Sequence, residues 1–164
     1  MDRIPPHIRR VLTGHDAAGR AVVWRDGAAT NHKYPGEKVS STLIWVTDQA
    51  PTAFLADEDA GERIVGTAPP PGGTRFCIME FEPGNEVHGM HRTDTTDYVI
   101  CLAGEIDMDL DEGTVTLRSG DVMVQRGTNH VWVNRSSATA RLAVVLIDGQ
   151  PKRPGSIGGA ANAR

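Results

Sequence analysis

The amino-acid sequence predicts an all-β protein: one domain built as an antiparallel sandwich or barrel of about ten short strands. Three observations carry that expectation. Runs rich in Val, Ile, Leu and Thr recur along the chain, separated by turn residues at Pro83-Gly84, Ala103-Gly104, Glu112-Gly113 and Ser119-Gly120. Around the acidic run EIDMDLDE, Ile106, Met108 and Leu110 alternate with Asp107, Asp109 and Asp111. That period of two marks a strand with one wet face rather than a metal-binding patch. Glycine (18) and proline (10) are plentiful, as many tight turns require.

Taken in order, Pro5-Pro6 ahead of HIRRVL predicts a short helix, because proline is tolerated in a helix's first turn. GRAVVWRDG (19–27) reads as a strand between glycines, and the β-branched run VSSTLIWVT (39–47) as another. The Ala-, Asp- and Pro-rich stretch 48–74 reads as a long ordered loop ending in the PPPGG turn. From residue 75 the strands follow closely: RFCIMEF, DYVICLA, EIDMDL, TVTLR, DVMVQR, HVWV and RLAVVLID. The domain organisation expected is an N-terminal extension (1–74) whose strands pack on a barrel core (75–148), then a flexible Gly/Ala-rich tail (149–164).

The 164 residues carry 17 Lys and Arg against 21 Asp and Glu, a net charge of −4. No basic stripe is available to neutralise phosphates, so a nucleic-acid partner is not expected. Aromatic residues make up 5 %, which leaves no stacking platform for single strands. No apolar run approaches the roughly 18 residues of a membrane span, and MDRIPPHIRR lacks the apolar stretch of a signal peptide. The expectation is therefore a cytoplasmic protein that does not engage a membrane. Cys77 and Cys101 both sit in apolar runs and are expected to be buried free thiols.

The polar cluster HGMHRTDTTD (88–97) stands just ahead of an apolar strand, and its spacing resembles a known pattern. The cupin family, small jelly-roll barrels, carries two motifs written G(X)5HXH(X)3–4E(X)6G and G(X)5PXG(X)2H(X)3N. Here His91-Arg92-Thr93 is followed by three residues, Asp97, six residues and Gly104; Gly120, DVMVQR, Gly127, His130 and Asn134 stand for the second motif. The resemblance covers about residues 75–148 and implies a double-stranded β-helix with N-terminal strands added. It also departs from the pattern: Thr93 replaces the second histidine, Asp97 replaces glutamate, and the PXG turn is one residue short and lacks its proline.

In cupins these positions bind a divalent metal at the barrel's mouth, so the resemblance implies His91, Asp97 and His130 as ligands to Fe, Mn, Ni or Zn. His91, Thr93 and Asp97 share the parity of Val99 and Cys101, which aims them to one side of an extended chain. Asp reaches about 1.5 Å less far than Glu, a shortfall to be recovered by a backbone shift or by another ligand; His88 is the reserve, with Glu86 behind it. The second reading has no metal: His91 and His130 exchange protons, Asp97 orients an imidazole, and Thr93 or Tyr98 hydrogen-bonds a substrate oxygen.

The function expected is a cupin enzyme acting on a small oxygenated molecule, aromatic or polyketide-like, by lyase, dehydratase or isomerase chemistry. A non-haem metal dioxygenase and a non-catalytic binding barrel are the alternatives. Val99, Cys101, Val122, Val124, Trp132 and Val144 are expected to line the interior. Resemblance further implies a homodimer, with strands at 20–25 and 40–47 supplying the shared edge.

Overall fold

The computed structural model describes residues 6–54, 58–87 and 89–150. Within them run eleven strands: β1 (Arg9–His15), β2 (Ala21–Ala28), β3 (His32–Gly36), β4 (Val39–Thr47), β5 (Thr74–Phe81), β6 (Thr95–Ala103), β7 (Glu105–Leu110), β8 (Thr114–Arg118), β9 (Val122–Arg126), β10 (His130–Val133) and β11 (Ala140–Asp148). A short 3-10 turn at Ala60–Glu62 interrupts the long loop. No helix among the described residues is long and apolar enough to cross a membrane.

A six-stranded sheet in the order β3-β4-β5-β11-β6-β9 faces a three-stranded sheet, β10-β7-β8, and β1 with β2 forms a separate ribbon. Every pairing is antiparallel. Core residues come from both larger sheets: Cys77, Phe81, Val99, Cys101, Leu142 and Leu146 from one, Ile106 and Leu117 from the other. The all-β architecture is thus that of a two-sheet jelly roll whose inner faces meet over one apolar core. Both cysteines are free and buried.

Alternation decides which side chains enter that core. Along β6, Thr95, Asp97, Val99 and Cys101 are buried while Tyr98, Ile100 and Leu102 are exposed. On β7, Ile106 and Met108 are buried; Asp107 and Asp109 turn outward to Thr116, Thr114 and Arg135. Gly104 ends β6 with φ +74°, and a Cβ there would stand 2.6 Å from the Thr139 carbonyl oxygen, so the bend admits only glycine.

Two expectations need correction. HIRRVL is not a helix: Arg9–His15 pairs with β2, because strand pairing outweighs the weak start signal of two prolines. Val122 (74 % exposed) and Val124 (57 %) face outward, while Met123 packs on the core and Gln125 is buried. β4 pairs along its length with β5, and its first part, Val39 to Thr42, pairs with β3 on the other side. Residues 1–5, with Pro5 of the expected helix start, and residues 151–164 of the expected tail lie outside the described residues.

Candidate functional site

A cavity of about 360 Å³ opens between the two sheets. Its walls are largely apolar, with Val99, Trp132, Val144 and Leu146 among them; His91, Thr93, Asp97, Gln125, His130 and Arg75 converge on it, and Lys33, Ser41, Thr67, Asn85 and the reserve candidate Glu86 complete its polar lining. That combination, an apolar body with a handful of convergent polar atoms, is what small-molecule sites require. Of the residues expected inside, Val99, Trp132 and Val144 line the cavity, and Cys101 is buried in the core.

Local structure delivers each group. The turn Gly127-Thr128-Asn129 leads into β10, and Gly127 adopts φ +58° against the carbonyl oxygens of Thr93 and Thr95. His130 then pairs with His91 through two backbone hydrogen bonds, His91 N–H to the His130 carbonyl (3.0 Å) and His130 N–H to the His91 carbonyl (2.9 Å). Their rings consequently lie 4.6 Å apart, centroid to centroid. Asn134 follows β10; its amide donates to the carbonyls of Phe81 (2.7 Å) and Ala138 (2.8 Å), and it is not itself part of the cavity lining.

His130 is buried and His91 is exposed. Burial, aided by the nearby His91, holds the His130 imidazole below the usual histidine range, against the opposing pull of the Thr128 carbonyl and Asp97. Its Nδ1 is occupied from two sides, 2.8 Å from Gln125 Nε2 and 2.9 Å from the Thr128 carbonyl. The Gln125 amide is oriented by the Gly127 N–H, which donates to Gln125 Oε1 (3.1 Å). The amide nitrogen faces Nδ1 as a donor and favours a proton on Nε2, whereas the Thr128 carbonyl can only accept and favours a proton on Nδ1.

Asp97 reaches the same cavity from β6. It is 6 % exposed, and its Oδ1 is buried with no hydrogen-bond partner. Burial pushes the carboxyl above the usual carboxylate range, tempered by the Thr95 hydroxyl and by His130. Thr93 also lines the cavity and shares a hydrogen bond with Thr95, Oγ1 to Oγ1 at 2.8 Å.

The structure thus brings His91, Thr93, Asp97 and His130 to one cavity. Tyr98 is corrected: the pleat turns it to the opposite, exposed face of β6, away from the site. His88 lies outside the described residues. Among the described residues, which do not include His88, no three His, Cys, Asp or Glu side chains gather as a divalent ion needs. The two imidazoles meet, and the Asp97 carboxyl shares their cavity and interacts electrostatically with His130. Gln125 and Arg75 were not among the sequence candidates, because polar residues within strands read as outward-facing.

Residues 77–146 match the family model described as "Cupin domain". The phomopsin biosynthesis cluster protein C' of Diaporthe leptostromiformis is 35 % identical over 153 residues, 87 % of this chain and 79 % of that protein. The cupin-domain-containing oxidoreductase fogC of Aspergillus ruber is 33 % identical over 147 residues, 85 % and 71 % of the two chains. A Salmonella typhimurium LT2 structure ascribed to ethanolamine utilization (EutQ) shares the fold, with a TM-score of 0.51, 12 % identity, and coverage of 89 % of this chain and 100 % of that one.

Proposed function

We propose that this chain, which belongs to the cupin family, is an enzyme that moves protons on a small oxygenated molecule with an aromatic or polyketide-like body. The outcome is elimination or isomerisation next to a carbonyl. One observation carries the reading: a buried carboxyl oxygen without a partner shares an apolar cavity with a buried neutral imidazole whose Nδ1 is already capped.

Asp97 Oδ1 is the base. Its raised pKa makes it a stronger base than an exposed carboxylate, and it removes a proton from the carbon beside the carbonyl. His130 Nε2–H donates to the carbonyl oxygen as the enolate forms, a task suited to a neutral imidazole. The proton held on Asp97 then returns to another carbon, giving isomerisation, or joins a departing hydroxyl as water, giving dehydration. His91, exposed at the mouth, exchanges protons with solvent, and the Thr93 hydroxyl holds a second substrate oxygen. The apolar wall keeps bulk water from the enolate.

Relatives named for a biosynthesis cluster and as an oxidoreductase support a secondary metabolite as substrate. The oxidoreductase name also favours a second reading, a non-haem metal oxygenase on the same cavity. In that reading His91, Asp97 and His130 would hold the ion, with His88 or Glu86 in reserve. Pairing of two copies belongs to the proposal as well; the exposed Ile100, Val122 and Val124 on the outer face of β6 and β9 supply apolar surface for it. Light scattering returning the 17.6 kDa monomer would defeat the dimer.

The deciding experiment follows deuterium entry into β-tetralone by NMR, anaerobically, with chelator-treated protein. Exchange that persists supports proton transfer by the side chains. Exchange that returns only with one equivalent of Fe, Mn, Ni or Zn per chain, or product formed only with O₂, favours the metal reading. Background exchange alone favours a binding protein.

A further inference from the structure

We propose that Arg75 is the anion-recognition residue of this cavity, and that the natural substrate carries an ionised oxygen, a carboxylate or an acidic phenol, which pairs with its guanidinium. The inference rests on the cavity being a substrate site, as argued above.

Arg75 lies on β5, in register with Leu146 on β11, and Leu146 is in register with Asp97 on the other side. All three line the cavity. Arg75 is 4 % exposed, yet it makes no ion pair among the described residues. Its Nη2 donates to the Ser41 hydroxyl (3.0 Å), its Nη1 to the Cys77 sulfur (3.2 Å), and its buried Nε–H meets no acceptor. Neither neighbour answers the charge: a serine hydroxyl is neutral, and burial pushes the Cys77 thiol up, away from the thiolate.

A guanidinium stays protonated at any physiological pH, and a buried charge is costly unless paired. A protein that leaves one uncompensated beside an apolar cavity has room there for an anion from outside. Guanidinium and a planar oxyanion match as fork to fork, and a cavity of about 360 Å³ holds a molecule of one or two rings. Lys33, also on the cavity's lining, is exposed and donates to the Val65 carbonyl, so it is solvated at the rim.

Calorimetry on the full chain tests this with benzoate, 4-nitrophenolate and neutral benzyl alcohol. Wild type is expected to bind one of the anions at least about tenfold tighter than the alcohol, the worth of a charge-assisted hydrogen bond. Benzoate ahead of nitrophenolate identifies a carboxylate substrate; the reverse order identifies an ionised phenol. Arg75→Met is expected to lose the preference, Arg75→Lys to keep part of it, and Lys33→Met to keep it all. Equal affinity of wild type for anion and alcohol, no binding of either anion, or an intact preference in Arg75→Met overturns the proposal. Should Arg75→Met fail to fold, the wild-type ratios and Arg75→Lys still decide. His130→Gln separates the two readings: it should lose proton exchange and retain the anion preference, whereas anion preference in a wild type that exchanges no protons would sink the enzyme reading alone.

Discussion

Arg10 and Arg75 are both buried, 9 % and 4 % exposed, and their surroundings are opposites. Under the N-terminal ribbon Arg10 is clamped by Asp59 (2.7 and 2.8 Å), Glu62 (2.8 Å) and the Ile44 carbonyl (3.2 Å). Gly61 packs so close that a Cβ would collide with the guanidinium. That cluster ties β1 to the 3-10 turn and pairs the charge with two carboxylates. In the cavity, Arg75 Nε and Asp97 Oδ1 are both buried and unpartnered. Native interiors satisfy nearly all their polar groups. Where they do not, and a cavity adjoins, a bound molecule can supply the partner; the first cluster builds the molecule, and on the second rests the chemistry proposed above.

The largest effect that could break this contrast is catalytic. His130→Gln and Asp97→Asn should each slow deuterium exchange by about 10²–10⁴-fold, the range for a lost acid or base, with the far-ultraviolet spectrum unchanged. Next comes stability. Arg10→Met should cost about 3 kcal/mol in urea denaturation, because it strands the buried Asp59, while benzoate preference survives. Arg75→Met should cost little or even stabilise. Reversed results for the two arginines would erase the distinction drawn between them.

A smaller effect, about tenfold on kcat with KM nearly unchanged, is expected for Gln125→Leu, since releasing Nδ1 alters the proton on His130 without touching substrate. The smallest concerns pH. Burial raises the Asp97 carboxyl in the fold above its ordinary 3.8, so the folded state holds that proton more tightly than the unfolded chain. Stability is therefore undiminished by Asp97 below that value and declines as pH rises through the folded-state pKa. Asp97→Asn should accordingly add about 1 kcal/mol at neutral pH and nothing near pH ~3, measured by thermal melts across that window. His130 runs the other way: burial lowers it from 6.5, so acidification below that point favours the unfolded chain, and His130→Gln should flatten the loss.

Much of the fold was legible because its signals are local. Period-two alternation and glycine turns marked β4 to β11, and the motif spacing located His91, Asp97 and His130. The failures share a cause: tertiary placement can invert local preference. On β9 the sequence reads Val-Met-Val-Gln, and hydropathy points the valines inward; the structure buries Gln125 because the turn to His130 needs its amide. Arg75 was invisible for the same reason, since an arginine in a strand ordinarily faces water. β3 was missed because HKYPG lacks an apolar face and contains a proline, which only an edge strand tolerates. Tyr98 was misplaced by one residue of pleat.

The claim that organises the site is that His130 keeps its proton on Nε2, as a donor to substrate, and not on Nδ1, which would bare Nε2 as a metal ligand. Nitrogen-15 NMR of the histidine rings at pH 7, in protein purified without added metal, reads this directly. The account predicts for His130 a neutral imidazole protonated at Nε2, shifting toward a mixture of tautomers in Gln125→Leu. A ring protonated at Nδ1 with Nε2 bare, or an imidazolium at that pH, would contradict it.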